Sequence, residues 1–398
     1  MRHVAVSGAL AAALLWGAHA ARADIALSSN DAHTVLDNGA QVAAKPMKPD
    51  TVSVIDLRSY PPRITATFEA PGSVVGPPMA VAIAPDESWA IVTSATKADP
   101  AAPGGIGPDD RVSVIDLRAS PPKITQSLTA GAGATTVRMS PDGSVALIAN
   151  RTAGTISVFT IKDHALTAAG TVDLGNPKAG PSGMAFTKDG TAALVSRDGD
   201  SMVSVLHIAR DGGNMKVTLD PRPITTGVRP YTLDVNAAGT LAAVSNMGRG
   251  DGDLDTISLI DLTATPFRTV ETVGVGRSPE GLKFSPDGKF LAVGTQGGTT
   301  KPGASPLHEE HGRLTLYAVG GDTGHGIEPG NHMLKPVAVA PIGHWSQGFA
   351  FSRDGQTILI QDMVERHIQV FRWRGGHLTE GAALRIDAGP AAIRTSWP

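Results

Sequence analysis

The chain has 398 residues, including 46 glycines, 29 prolines and no cysteine, so disulfide bonds, thiolate metal ligands and a cysteine nucleophile are excluded. Its 34 basic and 37 acidic residues give a formal net charge of −3 without any dense basic run. This balance argues against nucleic acid or an anionic membrane surface as a partner.

The first 23 residues have the pattern of a secretory signal peptide. Arg2 precedes the apolar run 4–18, and the triplet Ala-Arg-Ala at 21–23 has the small-x-small pattern of a cleavage site. The apolar run is shorter than the roughly 20 residues that span a bilayer. We therefore expect cleavage after residue 23 and a periplasmic or secreted protein, residues 24–398, without membrane insertion.

One strand-like phrase of the type Val-Ser-Val-Ile-Asp recurs seven times along the rest of the chain. Its copies begin at Thr51, Arg111, Thr155, Met202, Thr256, Arg313 and His367, at spacings of 44 to 60 residues. This spacing is the span of a four-stranded propeller blade with variable loops, and it excludes a helical solenoid.

A second phrase, an apolar strand that ends in a Pro/Asp/Gly turn, precedes the recurring phrase. It begins at Ala80, Thr136, Gly183, Thr232, Gly281 and Gly348. Such turns favour the left-handed backbone of a tight hairpin. A short apolar strand follows each turn, and a fourth strand, such as 123–128, follows the Val-Ser-Val-Ile-Asp phrase.

The two ends of the chain supply complementary parts of one blade. The segment 391–397 resembles an innermost strand without partners, and the segments 25–28, 51–57 and 63–68 supply the three missing strands. The sequence therefore predicts an all-β, seven-bladed β-propeller, residues 24–398, whose last blade is closed by N- and C-terminal strands and leaves no open sheet edge.

The candidate site lies on one face of this propeller. Because the strands of a blade are antiparallel, loops that enter the innermost strands share a face with loops between second and third strands. We call it the upper face; the Asp-Gly turns lie on the lower face. Four long insertions fall on the upper face: 29–50, 95–110, 246–255 and 295–312. The candidate ligand-binding or catalytic residues at the channel mouth are Arg229, Tyr231, Arg277, Glu280, His344, Gln347 and Arg394. These side chains could equally pair with one another across ordered water.

A divalent metal is a further possibility in the insertion 295–312, where His308 and His311 are three residues apart. Two such histidines need a tight loop to share an ion, and no third ligand is fixed by spacing, so a solvated loop is the competing interpretation. The sequence contains no Gly-x-Ser-x-Gly elbow, phosphate loop or dinucleotide fingerprint in the required context, and no other cofactor is evident.

The Ser-Pro-Asp-Gly turn, the apolar strand, the polar loop and the Val-Ser-Val-Ile-Asp strand together resemble the YVTN-repeat and lactonase-like seven-bladed propellers over residues 24–398. The tetrapeptide itself is replaced by sequences such as LIAN and AVSN. The resemblance implies a site of Arg, Glu and His at the channel mouth, at positions matched by Arg229, Arg277, Glu280 and His344. The arginines would bind a carboxylate and stabilise an oxyanion, and Glu280 or His344 would act as general base.

Three hypotheses for function follow, and the sequence leaves open whether the protein is an enzyme. The first is an exported binding or scaffold protein that presents the upper face to a small molecule or another exported protein. The second is a lactonase-like hydrolase or cycloisomerase acting on a lactone or sugar acid at the channel mouth. The third is the propeller subunit of a periplasmic amine dehydrogenase-like complex, in which the cofactor belongs to the partner.

Overall fold

The structure is a computed structural model that describes residues 24–211, 214–320 and 332–396. The predicted signal peptide lies outside the described residues. In the described part, no helix is long and apolar enough to cross a membrane. The helical structure found there is the 3₁₀ turn Pro103–Gly105, so the prediction of an all-β chain is confirmed.

Strands account for nearly all of the regular structure. In chain order they are β1 (Ile25–Asp31), β2 (Thr34–Asp37), β3 (Ala40–Ala43), β4 (Thr51–Asp56), β5 (Arg63–Glu69), β6 (Val81–Ile83), β7 (Trp89–Thr93), β8 (Thr96–Ala98), β9 (Ile106–Pro108), β10 (Arg111–Asp116), β11 (Lys123–Thr129), β12 (Ala134–Met139), β13 (Val145–Asn150), β14 (Thr155–Lys162), β15 (Ala165–Asp173), β16 (Pro181–Phe186) and β17 (Ala192–Arg197). They continue with β18 (Met202–Asp211), β19 (Asn214–Leu219), β20 (Ile224–Thr225), β21 (Pro230–Val235), β22 (Leu241–Asn246), β23 (Asp255–Asp261), β24 (Arg268–Gly276), β25 (Pro279–Phe284), β26 (Phe290–Thr295), β27 (Gly312–Val319), β28 (Leu334–Ile342), β29 (Ser346–Phe351), β30 (Thr357–Asp362), β31 (His367–Arg374), β32 (His377–Glu380), β33 (Leu384–Arg385) and β34 (Gly389–Thr395).

Seven antiparallel sheets form the blades of a propeller. From the axis outwards, the strands of blade 1 are β6, β7, β10 and β11, and blades 2 to 6 begin with β12, β16, β21, β25 and β29. Neighbouring innermost strands contact one another around the ring. The short strands β20 and β33 pair with β18 and β31, and the insertions form the hairpins β2–β3 and β8–β9. The predicted seven-bladed propeller is confirmed.

Blade 7 is built from both ends of the chain, with the order β34, β1, β4, β5. Strand β34 pairs along its length with β1, so that Leu27 lies opposite Arg394. It also contacts the innermost strands of blades 6 and 1, β29 and β6. The closure predicted from the sequence is therefore present, with the last strand at 389–395 rather than at 391–397.

Burial explains the two sequence patterns. In blade 2 every residue of the second strand, β13, is buried, because both faces of the inner strands pack against neighbouring blades. The outermost strand β11 instead alternates between half-buried and exposed residues, since only one of its faces is covered. Each large apolar cluster is accordingly shared by two adjacent blades, as where Leu147 of blade 2 packs with Met184 of blade 3.

The Asp-Gly turns on the lower face are held by a repeated set of hydrogen bonds. In blade 2 the Ser140 hydroxyl lies 2.5 Å from Oδ1 of Asp142, and the N–H of Val145 donates to the Ser140 oxygen at 3.0 Å. Gly143 has φ = 69°, a conformation that costs glycine little. These contacts fix the hairpin between the two innermost strands.

Glycine in the innermost strands allows neighbouring strands to approach closely. A Cβ at Gly281 would lie 2.2 Å from the backbone oxygen of Gln347 in the next blade. We expect Gly281→Ala to lower the free energy of unfolding by roughly 1–3 kcal/mol because the two strands must separate. Gly303→Ala is the matched control, since nothing lies within 4 Å of its added carbon. Urea denaturation of both variants measures the difference, and equal stabilities would contradict this account.

Candidate functional site

Equivalent positions of five innermost strands place side chains near the upper end of the channel. The second residues of β12, β16, β21, β25 and β29 are Thr135, Ser182, Tyr231, Glu280 and Gln347. All five residues are buried. The repeat therefore brings three of the predicted site residues, Tyr231, Glu280 and Gln347, to the same level of neighbouring blades.

The residue before each of these strands has a left-handed backbone. It is glycine in blades 2 and 3, but Arg229, Ser278 and Trp345 in blades 4 to 6, with φ values of 54°, 50° and 50°. This conformation costs a non-glycine residue on the order of 1–3 kcal/mol and persists only where surrounding contacts hold it. The N–H of Arg229 donates to the hydroxyl of Ser201 at 3.1 Å. Strained backbone thus borders the upper end of the channel in blades 4 to 6.

The long insertions lie on the upper face, as predicted, and contact one another. Gly104 of the blade 1 insertion adjoins the backbone of Gln41 in the β2–β3 hairpin, and Gly39 of that hairpin adjoins Pro302 of the blade 5 insertion. The Lys301 ammonium donates to the Gly250 carbonyl at 2.6 Å, which links the insertions of blades 5 and 4. Together they form a continuous wall that links blades 7, 1, 5 and 4.

A cavity of about 810 Å³ opens on the upper face beside this wall. Its charged lining comes from blades 2 to 4: Arg151, Lys178, Asp198, Arg229 and Arg249. The blade 1 insertion contributes Ile106 and Pro108. The cavity is large enough for a small organic molecule.

Two arginines share one carboxylate at the cavity wall. Nη2 of Arg151 lies 2.5 Å from Oδ2 of Asp198, and Nη2 of Arg229 lies 3.5 Å from the same oxygen. Nη1 of Arg151 donates to the hydroxyl of Ser182 at 2.5 Å. The Asp198 side chain is almost completely buried, whereas those of Arg151 and Arg229 are 24% and 40% exposed. The arginines therefore present positive charge to the cavity.

Glu280, on the innermost strand of blade 5, is a buried acid with 4% of its surface exposed. Burial raises its pKa to about 8, although hydrogen bonding by Gln347 and the charges of Arg229 and Arg151 act in the opposite direction. The side-chain amide of Gln296 also donates to its carboxyl group. A carboxyl group with a pKa near neutrality can exchange a proton with a substrate or water at physiological pH.

Tyr231 contacts one of the two arginines. The guanidinium carbon of Arg151 lies 5.6 Å from the centre of the Tyr231 ring, within the range of a cation–π contact. Burial raises the pKa of Tyr231 far above its ordinary value, so its hydroxyl remains protonated and can only donate or accept a hydrogen bond. Arg151, Asp198, Arg229, Tyr231 and Glu280 together form what we call the upper cluster.

Two predicted residues on the same face bind neighbours outside this cluster. The Arg277 guanidinium pairs with the carboxylate of Glu309 in the blade 5 insertion. Nδ1 of His344 lies 2.6 Å from Oε1 of Glu365, and the backbone N–H of His344 donates to both oxygens of that carboxylate at 3.1 Å. These contacts tie loops of blades 5 and 6 in place.

The sequence predicts Arg394 at the upper mouth of the channel, but the structure places it near the lower mouth. It is the sixth of seven residues of β34, a strand that begins at the upper face and ends at the lower one. Its Nη1 lies 3.8 Å from Oδ1 of Asp234, near the lower mouth. A strand of this length spans roughly 20 Å, so Arg394 is far from the upper cavity.

His308, one of the two predicted metal ligands, contacts other groups of the blade 5 insertion. His308 contacts the carbonyl oxygen of Lys301 through Nδ1 at 3.2 Å, and its Nε2 is 3.5 Å from Oε1 of Glu310. Neither His308 nor His311 belongs to a group of three possible ligands among the described residues. A metal site at His308 and His311 stays a prediction from the sequence.

The group of three possible metal ligands in the described part is Asp31, His33 and Asp50. Nδ1 of His33 lies 2.8 Å from Oδ1 of Asp50 and 3.1 Å from Oδ1 of Asp31. Backbone N–H groups already donate to both carboxylates, at 2.8–2.9 Å for Asp31 and at 2.9 and 3.2 Å for Asp50. These bonds are those of a structural network that anchors the insertion 29–50.

Arg151 and Asp198 were missed by the sequence analysis. Both follow the second strands of their blades, at the end of the apolar phrases 145–149 and 192–196. The loops that hold them are short and do not stand out as insertions. The signal was available, since loops between second and third strands lie on the upper face in every blade. A charged residue in such a short loop is therefore as good a candidate site residue as one in a long insertion.

Part of the chain is similar to a known family of propellers. Residues 113–228 match the model of the family described as lactonase, 7-bladed beta-propeller. The resemblance predicted from the repeats is thereby confirmed. A search of curated proteins finds no match.

Solved structures share the fold at low sequence identity. A proposed 6-phosphogluconolactonase from Bacteroides fragilis has a TM-score of 0.69 and 16% identity, covering 94% of this chain and 98% of its own. The periplasmic gluconolactonase of Pseudomonas aeruginosa has a TM-score of 0.66 and 17% identity, covering 94% of this chain and 99% of its own. At these identities the similarity establishes the fold of nearly the whole chain.

Proposed function

We propose that the protein hydrolyses a lactone in the upper cavity. The observation that carries this proposal is the pair Arg151 and Arg229, held on one carboxylate at the cavity wall and backed by Glu280, whose pKa is about 8. The match of residues 113–228 to the lactonase family supports this hypothesis over a binding or scaffold protein, and the names of the solved relatives point to sugar lactones.

Each group has a role in the proposed reaction. The ionised Glu280 takes a proton from water, the water oxygen forms a bond to the lactone carbonyl carbon, and the charge moves to the carbonyl oxygen. Arg151 and Arg229 stabilise that oxyanion by charge-assisted hydrogen bonds. When the carbonyl re-forms, the ring C–O bond breaks and the proton returns from Glu280 to the leaving oxygen. The product is an open-chain hydroxy acid.

The decisive experiment measures hydrolysis of gluconolactone by pH-stat titration, with the spontaneous rate subtracted. We expect Arg151→Gln to lower kcat/KM at least about 100-fold, the effect typical of removing one oxyanion donor. Arg268→Gln is the matched control, because Arg268 is an exposed arginine paired with Asp261 at the outside of blade 4. Its kcat/KM should equal that of the wild type.

Turnover no faster than the spontaneous rate across a panel of sugar lactones would contradict the proposal. If those lactones or the corresponding acids still bound, and binding required Arg151, the binding-protein hypothesis would replace it. Co-purification of a small redox subunit would favour the dehydrogenase-like complex. Export to the periplasm remains part of the proposal, because the predicted signal peptide, 1–23, lies outside the described residues.

A further inference from the structure

The lower end of the channel carries a second set of buried charges that the proposed reaction does not use. Arg138, Asp234 and Lys283 occupy the fifth positions of the innermost strands of blades 2, 4 and 5, and Arg394 occupies β34 of blade 7. Arg138, Asp234 and Lys283 each expose 5% or less of their surface. Three cations thus stand around one carboxylate.

The carboxylate of Asp234, the one acidic group of this ring, already has close partners. The Lys283 ammonium lies 3.0 and 2.9 Å from the two oxygens of Asp234, and the N–H of Phe284 donates to Oδ2 at 3.0 Å. Arg394 is 3.8 Å from Oδ1 of Asp234, beyond hydrogen-bond distance. Burial lowers the pKa of Lys283 to about 8 and also lowers those of Arg138 and Arg394, as expected for uncompensated positive charge.

Arg138 has an unused hydrogen-bonding edge. Its Nη1 donates to the carbonyl oxygens of Val137, Met79 and Val81 at 2.8, 3.2 and 3.4 Å. Its buried Nε has no partner among the described residues. A buried, unpaired guanidinium N–H is costly, and an oxyanion is the partner that such a donor fits.

The ring opens into a cavity of about 680 Å³ at the lower mouth, separate from the upper cavity. Arg138, Asp234 and Arg394 form its charged floor, and apolar side chains, including Ile83, Phe186 and Val235, form part of its wall. The other charged residues of its lining are Asp86, Glu87, Lys188 and Arg353. Oε1 of Glu87 accepts hydrogen bonds from the N–H of Ile25 at 3.2 Å and the hydroxyl of Ser396 at 2.7 Å, whereas its buried Oε2 has no partner among the described residues.

We propose that this lower cavity binds a small organic acid through its carboxylate, which lies between Arg138 and Arg394 while its apolar part contacts the cavity wall. The carboxylate would accept a charge-assisted hydrogen bond from the Arg138 guanidinium and offset the excess of buried positive charge. The apolar wall favours an acid with a hydrophobic body over inorganic phosphate. This site does not depend on lactone hydrolysis, and its occupant need not be the product of that reaction.

The test uses the purified protein and titrates benzoate, acetate, inorganic phosphate and chloride at constant ionic strength by calorimetry and thermal shift. We expect benzoate to raise Tm and to bind more tightly than acetate, with no saturable effect of chloride. Arg138→Gln should weaken benzoate binding roughly tenfold or more through the lost charge-assisted hydrogen bond. Arg268→Gln again serves as the control and should bind benzoate unchanged.

A second variant should change benzoate affinity in the opposite direction, so that a loss of folding cannot explain both results. Asp234→Asn removes the one acidic group of the ring and should tighten benzoate binding. Arg138→Gln should leave kcat/KM for lactone hydrolysis unchanged, so failure of this site and failure of the proposed reaction are distinguishable. Equal benzoate affinity in the wild type and both variants would overturn the proposal, as would saturable binding of phosphate without binding of benzoate.

Discussion

Replacing Glu280 by Gln is expected to lower kcat for lactone hydrolysis by two or more orders of magnitude, because the variant has no group that can accept the proton of water. The substitution keeps the size of the side chain, and its amide oxygen can still accept the hydrogen bond from Gln296. KM should change little, since Arg151 and Arg229 remain at the cavity wall. Steady-state kinetics on gluconolactone measures both constants.

The pH profile gives an independent test of the same role. Because burial raises the pKa of Glu280 to about 8, the ionised form is scarce at pH 6 and predominates above pH 8. The wild-type kcat should therefore rise about tenfold per pH unit below pH 8 and then level off. A flat wild-type profile across this range would show that Glu280 is not the base, even if Glu280→Gln were inactive.

The free energy of unfolding should also depend on the ionisation of Glu280, because proton binding is linked to folding. The folded-state pKa of about 8 lies above the ordinary glutamate pKa of 4.5, so between these values folded Glu280 keeps a proton that the unfolded chain has released. Stability therefore decreases as pH rises through this window, by up to about 1.4 kcal/mol per unit from this group. Glu280→Gln lacks this loss and should gain stability relative to the wild type between pH 5 and 8.

The strands could be predicted because their signal is repeated. Seven copies of one phrase fix the number of blades, and the unequal number of turn phrases indicates that the two ends share a blade. Arg394 shows the limit of this reasoning. Its strand was recognised, but a strand joins both faces of the propeller, and its last residues lie at the lower mouth. A pattern that identifies a strand does not give the depth of each side chain.

The repeat pattern did not reveal the charged residues at the lower end of the channel. Arg138, Asp234 and Lys283 align with Ala82, Ala185 and Ala350 in the phrase that was identified only as an apolar strand. Charged residues at a position occupied elsewhere by alanine indicate that the position faces something polar. Their mutual pairing could not be deduced, because it depends on contacts between blades about 50 residues apart in sequence.

Removing residues 389–398, which contain β34, is expected to abolish cooperative folding. The deletion leaves β1 with an unpaired inner edge and exposes Leu27 and Ala26, which are fully buried in the intact propeller. It also removes the contacts of β34 with the innermost strands of blades 6 and 1, so the ring is open. An exposed strand edge with an uncovered apolar surface promotes aggregation. Size-exclusion chromatography and circular dichroism should show aggregated or unfolded protein.

A circular permutant separates the need for the strand from the need for a chain end at this position. Ile25 and Ser396 both hydrogen-bond to Oε1 of Glu87, so a short linker can join residues 396 and 24 where the other blades have an Asp-Gly turn. New ends between Gly375 and Gly376 would lie in the exposed turn between β31 and β32. We expect this permutant to fold with stability within about 2 kcal/mol of the wild type, because every strand pair is retained. A folded deletion variant, or an unfolded permutant, would show that closure of blade 7 does not hold the ring together as the structure indicates.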